Sequence, residues 1–162
     1  MDQIYFLKLH GKLTTDETFA KVNIRWINDV EQYKWYLGIN GYPFTYIKYN
    51  FKIKSRISLH RYIHWLNINY WTNLYVDHIN RDKLDATDCN LREATAAENS
   101  YNKTYTNPNH NIRYIESKNK FEVKIKKNNI VCKISDIYTI DDARNIYNIM
   151  AEELFGQFSP NN

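Results

Sequence analysis

The chain has 162 residues, 43% of them hydrophobic and 15% aromatic, enough for one sizeable globular domain or two small ones. Its formal net charge of +4 is modest and permits a polyanionic partner without demanding one. Cys89 and Cys132 stand far apart and outside any Cys-x-x-Cys pair, which excludes a cysteine zinc site and fits a reduced intracellular protein; with no apolar leader and no run near the ~18 apolar residues of a membrane helix, the sequence reads as soluble.

Residues 1–58 read as short strands over Ile4–Leu9, Ala20–Ile24, Trp35–Ile39 and Tyr42–Tyr49, separated by Gly, Asn and Asp turns. Gly38 and Gly41 bracket a hairpin turn around Asn40, and Trp26–Tyr33 is a short helix candidate. Leu59, Tyr62, Ile63 and Leu66 recur at three- and four-residue spacing, predicting a helix from about Ser58. Leu74–Ile79 then reads as a strand running into the turn-rich Asn80–Asn90, and Thr95 with Glu98 forms a capping box for a helix from Ala96 to about Lys103.

Thr104–Asn111, with Pro108 among Asn and Thr, reads as a linker. Beyond it come three strand-like runs, Ile112–Ile115, Lys120–Lys126 and Ile130–Ile134, the last two joined by a turn at Lys127–Asn129. Thr139 and Asp142 resemble a capping box, and the stripe Ala143, Ile146, Tyr147, Met150, Ala151 and Leu154 predicts a packed helix ended by Gly156. The expected class is α+β, divided as an N-terminal β-rich segment 1–58, a central segment 59–104, a linker 105–111 and a three-stranded sheet plus helix over 112–162.

Chemistry concentrates in the central segment. Tyr75-Val-Asp-His-Ile79 places Asp77 beside His78, followed by Asn90-Leu-Arg92 and Asn99-Ser-Tyr-Asn102. Phosphodiester hydrolysis needs an activated water and stabilisation of charge on the phosphate and leaving oxygens, which one hard divalent cation in oxygen coordination can provide. Asp77 can supply an anionic ligand and Asn99 a carbonyl ligand, while His78, on the opposite side of the same extended segment, can take a proton from water. Asn90 can bond the other imidazole nitrogen or a nearby backbone group and so fix the ring. On the predicted helix Asn99 and Asn102 share a face. An Asp-His pair alone is common, and an isolated histidine is usually structural; the order strand, loop, capped helix with Asn90 and Asn99 in place gives the pair its weight.

These residues, with Leu59-His-Arg61, Asp85 and Ala94-Thr95, resemble the Asn-terminated branch of the HNH homing endonucleases of phages, viruses and mobile introns. The resemblance extends upstream through Phe19-Ala-Lys-Val22, Tyr33-Lys-Trp-Tyr36 and Gly41-Tyr42. It implies a ββα-metal fold, His78 as general base, Asp77 and Asn99 as ligands of Mg²⁺ or Mn²⁺ rather than zinc, and Asn90 orienting His78. His60, Arg61, Arg92 and Asn102 are implied supporting residues. The third letter of the motif is Asn99 rather than His, and Asp85-Ala-Thr-Asp88 replaces a segment richer in Asn and Arg.

Ile112-Arg-Tyr114, Lys120-Phe-Glu-Val123, Thr139-Ile-Asp-Asp-Ala143 and Ala151-Glu-Glu-Leu-Phe-Gly156, with terminal Asn161, resemble the apetala/ethylene-response-factor DNA-binding domain. That likeness implies a sheet that enters the major groove, with Arg113, Tyr114, Lys118, Lys120, Lys124 and Lys126 as DNA contacts; basic residues on a sheet equally serve as solvated decoration or edge protection. The expected function is a metal-dependent DNA endonuclease acting on double-stranded DNA, as a monomer that nicks or a homodimer that cuts both strands, in the cytoplasm or nucleus of a host cell, with no membrane partner. A noncatalytic DNA-binding or regulatory protein on the same scaffold is the alternative, distinguished by binding without cleavage.

Overall fold

A computed structural model describes residues 3–49, 53–103, 105 and 107–160. The chain divides into two compact units, residues 1–96 and 97–162. This boundary falls upstream of the 105–111 linker expected from sequence.

In the first unit β1 (Ile4–Lys8) pairs antiparallel with β2 (Phe19–Asn23). The expected Trp26–Tyr33 helix is smaller and earlier: a 3₁₀ turn, Ile24–Trp26, runs into the single-turn α1 (Ile27–Val30). So short a segment cannot carry a longer helix alone, and it ends where Trp35 is buried with its indole N–H on the Val30 carbonyl, 2.9 Å. Next, β3 (Tyr36–Leu37), β4 (Pro43–Tyr49) and β5 (Ile53–Ser58) form an antiparallel sheet in that order. The Gly38–Gly41 turn forms as expected, with the Gly41 N–H on the Gly38 carbonyl and φ +80° at Gly41.

The predicted stripe of α2 (Leu59–Ile68) faces inward. Leu59, Tyr62 and Ile63 are buried with Leu9, Val22, Val30 and Trp35 in one core, and Leu66 packs at its edge. Asn69, at φ 59°, ends the helix in the left-handed conformation. Then β6 (Tyr75–His78) pairs antiparallel with β7 (Leu91–Ala94), and Val76, Ala86 and Leu91 join the same core. Neither β5 nor β7 stands out in the local pattern, because Ile53–Ser58 alternates with Lys, Arg and Ser, and Leu-Arg-Glu-Ala carries little strand propensity; a second strand in the central segment was implied by the resemblance alone. Pairing with β4 and β6 makes them strands.

The unit boundary lies in the first turn of α3 (Ala96–Tyr101), shorter than the helix expected to about Lys103. The second unit contains β8 (Ile112–Ile115), β9 (Lys120–Lys127) and β10 (Ile130–Ile137) in the antiparallel order β10-β9-β8. Asn128 and Asn129, at φ 47° and 67°, make the tight β9–β10 turn, which asparagine enters at little cost. The longer helix α4 (Ile140–Phe155) starts where Thr139 Oγ accepts the Asp142 N–H at 3.0 Å and stops at Gly156. Its Ala143, Tyr147, Met150 and Ala151 bury against Val123 and Ile125 of β9. No helix among the described residues is long and apolar enough to cross a membrane.

Candidate active site

The β6–β7 register sets Asp77 opposite Arg92 and His78 opposite Leu91. Cross-strand partners share a face of the pleat, so the Arg92 guanidinium meets the Asp77 carboxylate directly: Nε donates to Oδ2 at 3.0 Å, and Nη2 lies 2.9 Å from the same oxygen in an ion pair. Asp77 and His78 are both buried. An ion-pair partner offsets part of the cost of burying a carboxylate, and the charge-assisted hydrogen bond from Nε orients it.

Between the strands, residues 79–90 form a loop ordered by polar contacts. Asn90 is buried at its base. Its Oδ1 accepts the Asn80 N–H at 2.9 Å, while Nδ2 donates to Asn80 Oδ1 at 2.9 Å and to the Asp85 carbonyl at 2.7 Å. Of the two partners that sequence reasoning allowed Asn90, the backbone is the one found: it braces the residues that follow His78. Asp85 is buried too, accepting from Asn80 Nδ2 and from the Thr87 hydroxyl and N–H.

The loop is also tied to the N-terminal segments. Lys21 of β2 donates its N–H to the Leu84 carbonyl at 2.7 Å and accepts the Ala86 N–H at 2.9 Å. Asp88 is gripped by three groups: its N–H donates to Asn23 Oδ1, while its carboxylate accepts the Trp26 indole N–H at 2.9 Å and pairs with Arg25 at 2.6 Å. On the other side Lys83 Nζ donates to the Asn40 carbonyl at 3.0 Å and lies 4.8 Å above the Tyr42 ring.

The His78 imidazole meets two rings, His60 at 4.9 Å and Tyr42 at 5.7 Å between centroids, and these two lie 5.0 Å apart. Burial lowers the His78 pKa below the ordinary histidine value, against the opposing pull of Asp77, Asp82 and Asp85. The ring is therefore neutral near pH 7, the state a general base requires. Burial, then the neighbouring His78, push His60 down to about 3, so this ring is a neutral packing partner. Burial and the charge of Asp77 raise the Tyr42 phenol above its usual range.

Asp77, His78, Asn90, Arg92 and His60 thus gather around one hairpin. Arg61 is engaged elsewhere, donating to the Thr72 and Leu74 carbonyls at 2.7 and 2.9 Å. Asn99 and the buried Asn102 stand on and just after α3, in the second unit. Sequence reasoning did not single out Tyr42 or Lys83 as site residues, nor Lys21, Asn23, Arg25 and Trp26 as braces. Tyr42 had a signal in the Gly-Tyr step after its turn; the others lie in ordinary strand and loop sequence.

In the second unit, strand alternation assigns the expected DNA contacts to different places. Arg113 opposite Glu122, and Lys124 opposite Lys133, point away from the Val123–Ile125 face, as does Lys126. Lys124 and Lys126 are exposed and make no ion pair among the described residues, whereas Lys133 pairs with Glu122 at 2.6 Å. Lys118 and Lys120 lie 3.9 and 3.6 Å from Asp136, and the Lys120 ammonium also covers Tyr138. Tyr114 sits on the opposite face from Arg113, packing on Phe121 at 5.0 Å and donating its hydroxyl to Asn119. It is not grouped with the basic residues.

Among the described residues no group of three or more His, Cys, Asp or Glu side chains is arranged to hold a metal. A site at Asp77 would therefore rest on one carboxylate, amide oxygens, water and substrate, a hard-oxygen set of the kind Mg²⁺ accepts. The chain is 39% identical over 164 aligned positions, spanning 100% of its own length and 83% of the relative, to an uncharacterized HNH endonuclease of Acanthamoeba polyphaga mimivirus. The chain belongs to the HNH endonuclease family. No family model and no solved structure matches it.

Proposed function

We propose that the protein is a metal-dependent DNA endonuclease of the Asn-terminated HNH branch, with the ββα-metal fold that the resemblance implies. The observation that carries this reading is the buried, neutral His78 beside an Asp77 oriented by Arg92, above a loop braced by Asn90. His78 is the general base: a water gives its proton to the imidazole as its oxygen forms a bond to phosphorus. The bond from phosphorus to the 3′ oxygen then breaks, and protonation of that oxygen leaves 5′-phosphate and 3′-hydroxyl ends. Asp77 and Asn99 are the residues that would hold Mg²⁺, or Mn²⁺ in its place. Bound there, the ion supplies charge neutralisation at the phosphate and at the leaving oxygen. Asn90 keeps the backbone after His78 in place, and His60 and Tyr42 confine the ring.

The second unit is the affinity module for double-stranded DNA, an apetala/ethylene-response-factor-type sheet whose Arg113, Lys124 and Lys126 meet phosphates. The exposed basic face supports this reading. Phosphate contacts there raise affinity on all sequences, whereas base-edge contacts give selectivity. Asp77→Ala and Asn99→Ala are each expected to abolish Mg²⁺-dependent plasmid cleavage while DNA binding in EDTA persists. Cleavage unchanged in both variants would overturn the ligand assignment, and tight binding without cleavage by the parent protein would favour a noncatalytic DNA-binding role.

A further inference from the structure

We infer that Lys83 contacts the substrate, its ammonium receiving a backbone phosphate next to the bond that is cut. This rests on the nuclease reading above and adds a residue to those assigned there.

Three cations around the 79–90 loop, Arg92, Arg25 and Lys21, lie beside carboxylates. Arg92 is neutralised by Asp77 and Arg25 by Asp88, at 2.9 and 2.6 Å. Lys21 stands 3.9 Å from both Asp82 and Asp85. Lys83 differs from all three: it is exposed and, among the described residues, makes no ion pair. Its contacts are a neutral carbonyl, that of Asn40, and the π face of Tyr42. An ammonium has three donors, and the carbonyl occupies one. Neutral partners leave its full charge available to an incoming anion, whereas the ion-paired cations would have to surrender a carboxylate first.

Position makes that charge useful. The ring beneath Lys83 is the one that packs 5.7 Å from the His78 imidazole. The ammonium is therefore one aromatic ring away from the proposed base, on a loop whose far end is fixed by Asn90. Its stem is confined as well: a Cβ built on Gly41 would come within 3.3 Å of Lys83 Cδ, and Gly41 has φ +80°. The turn thus leaves room for the lysine stem where a side chain would crowd it. Lysine is a point-charge phosphate binder with no need of a planar partner, which suits an edge position where one phosphate oxygen arrives.

The test is equilibrium binding of duplex DNA against salt concentration, in EDTA, for the full-length protein and for Lys83→Met and Lys83→Arg, with cleavage measured in Mg²⁺. Loss of one phosphate contact is expected to make the slope of log Kobs against log[salt] shallower by about 0.9 in Lys83→Met. Cleavage kcat/KM is expected to fall in parallel, and Lys83→Arg is expected to restore both. Should Lys83 only tether the loop to the 38–42 turn, Lys83→Met would lower the melting temperature and leave the salt slope unchanged, which overturns the inference. His78-dependent cleavage by the parent protein with an unchanged Lys83→Met slope removes this inference alone. A parent protein that neither binds nor cleaves DNA removes the nuclease reading and this inference together.

Discussion

The 79–90 loop of the first unit and the β8–β10 sheet of the second use polar residues in opposite ways. The loop has no regular structure beyond a 3₁₀ turn at Asp88–Asn90 and one β-bridge from Asp85 to Lys21, and polar side-chain contacts hold it: Asn90 and Asp85 inside, Lys21, Arg25 and Trp26 outside. The sheet is held by Val123 and Ile125 against α4, so Lys124 and Lys126 stand in solvent without acidic partners among the described residues. A reacting group must be held in one geometry, and paired charges accomplish that. On the proposed reading the sheet is a phosphate-binding face, which needs unpaired charge, and the apolar core beneath leaves Lys124 and Lys126 free of acidic partners among the described residues.

Four variants break or sharpen this contrast, in falling order of expected effect. Asn90→Ala removes three side-chain hydrogen bonds, two to Asn80 and one to the carbonyl of the buried Asp85. We expect a loss of about 2–4 kcal/mol in urea denaturation together with loss of cleavage. A variant of unchanged stability would mean that the loop is held by its outer ties. Lys124→Ala with Lys126→Ala should leave stability within about 0.5 kcal/mol and make the salt slope of DNA binding shallower by about two; an unchanged slope would remove both lysines from the footprint.

His60→Phe tests the packing around His78 through pH. The folded pKa of His60, about 3, lies below its ordinary 6.5, so above pH 6.5 the group is neutral in both states and contributes nothing. As pH falls from 6.5 toward 3 the unfolded chain takes up a proton that the native state refuses. Stability is lost over that window, by at most about 1.4 kcal/mol per pH unit. The phenylalanine variant is expected to show a flatter fall in melting temperature from pH 7 to pH 4, and an identical fall would contradict a buried neutral His60. Lys118→Ala should change the salt slope least, because that lysine already lies 3.9 Å from Asp136; a decrease equal to that of a Lys124 variant would show that the pairing is irrelevant.

Much of this was legible in the sequence. The α2 and α4 stripes, the Gly38–Gly41 and Asn128–Asn129 turns and the three C-terminal strands were, because periodicity and turn chemistry are local. So was the Asp77–His78 step. What was not legible depends on pairing across the chain: β5 and β7 are strands through their partners, and Lys21 braces Leu84 and Ala86 across more than sixty positions. Tyr42 and Lys83 meet because two turns far apart in sequence fold side by side. The separation of Tyr114 from Arg113 follows from strand alternation and is local; which β9 residue each one faces, Phe121 and Glu122, follows from register, which is fixed only once the strands are paired.

The central claim is that His78 is the base of a nuclease, and the most direct test is a supercoiled AT-rich plasmid incubated with Mg²⁺ and either the parent protein or His78→Ala, scored for nicked and linear product. The account expects cleavage by the parent, its loss by about 10²–10⁴-fold in the variant, and DNA affinity retained in both. Equal cleavage by the two proteins would contradict it.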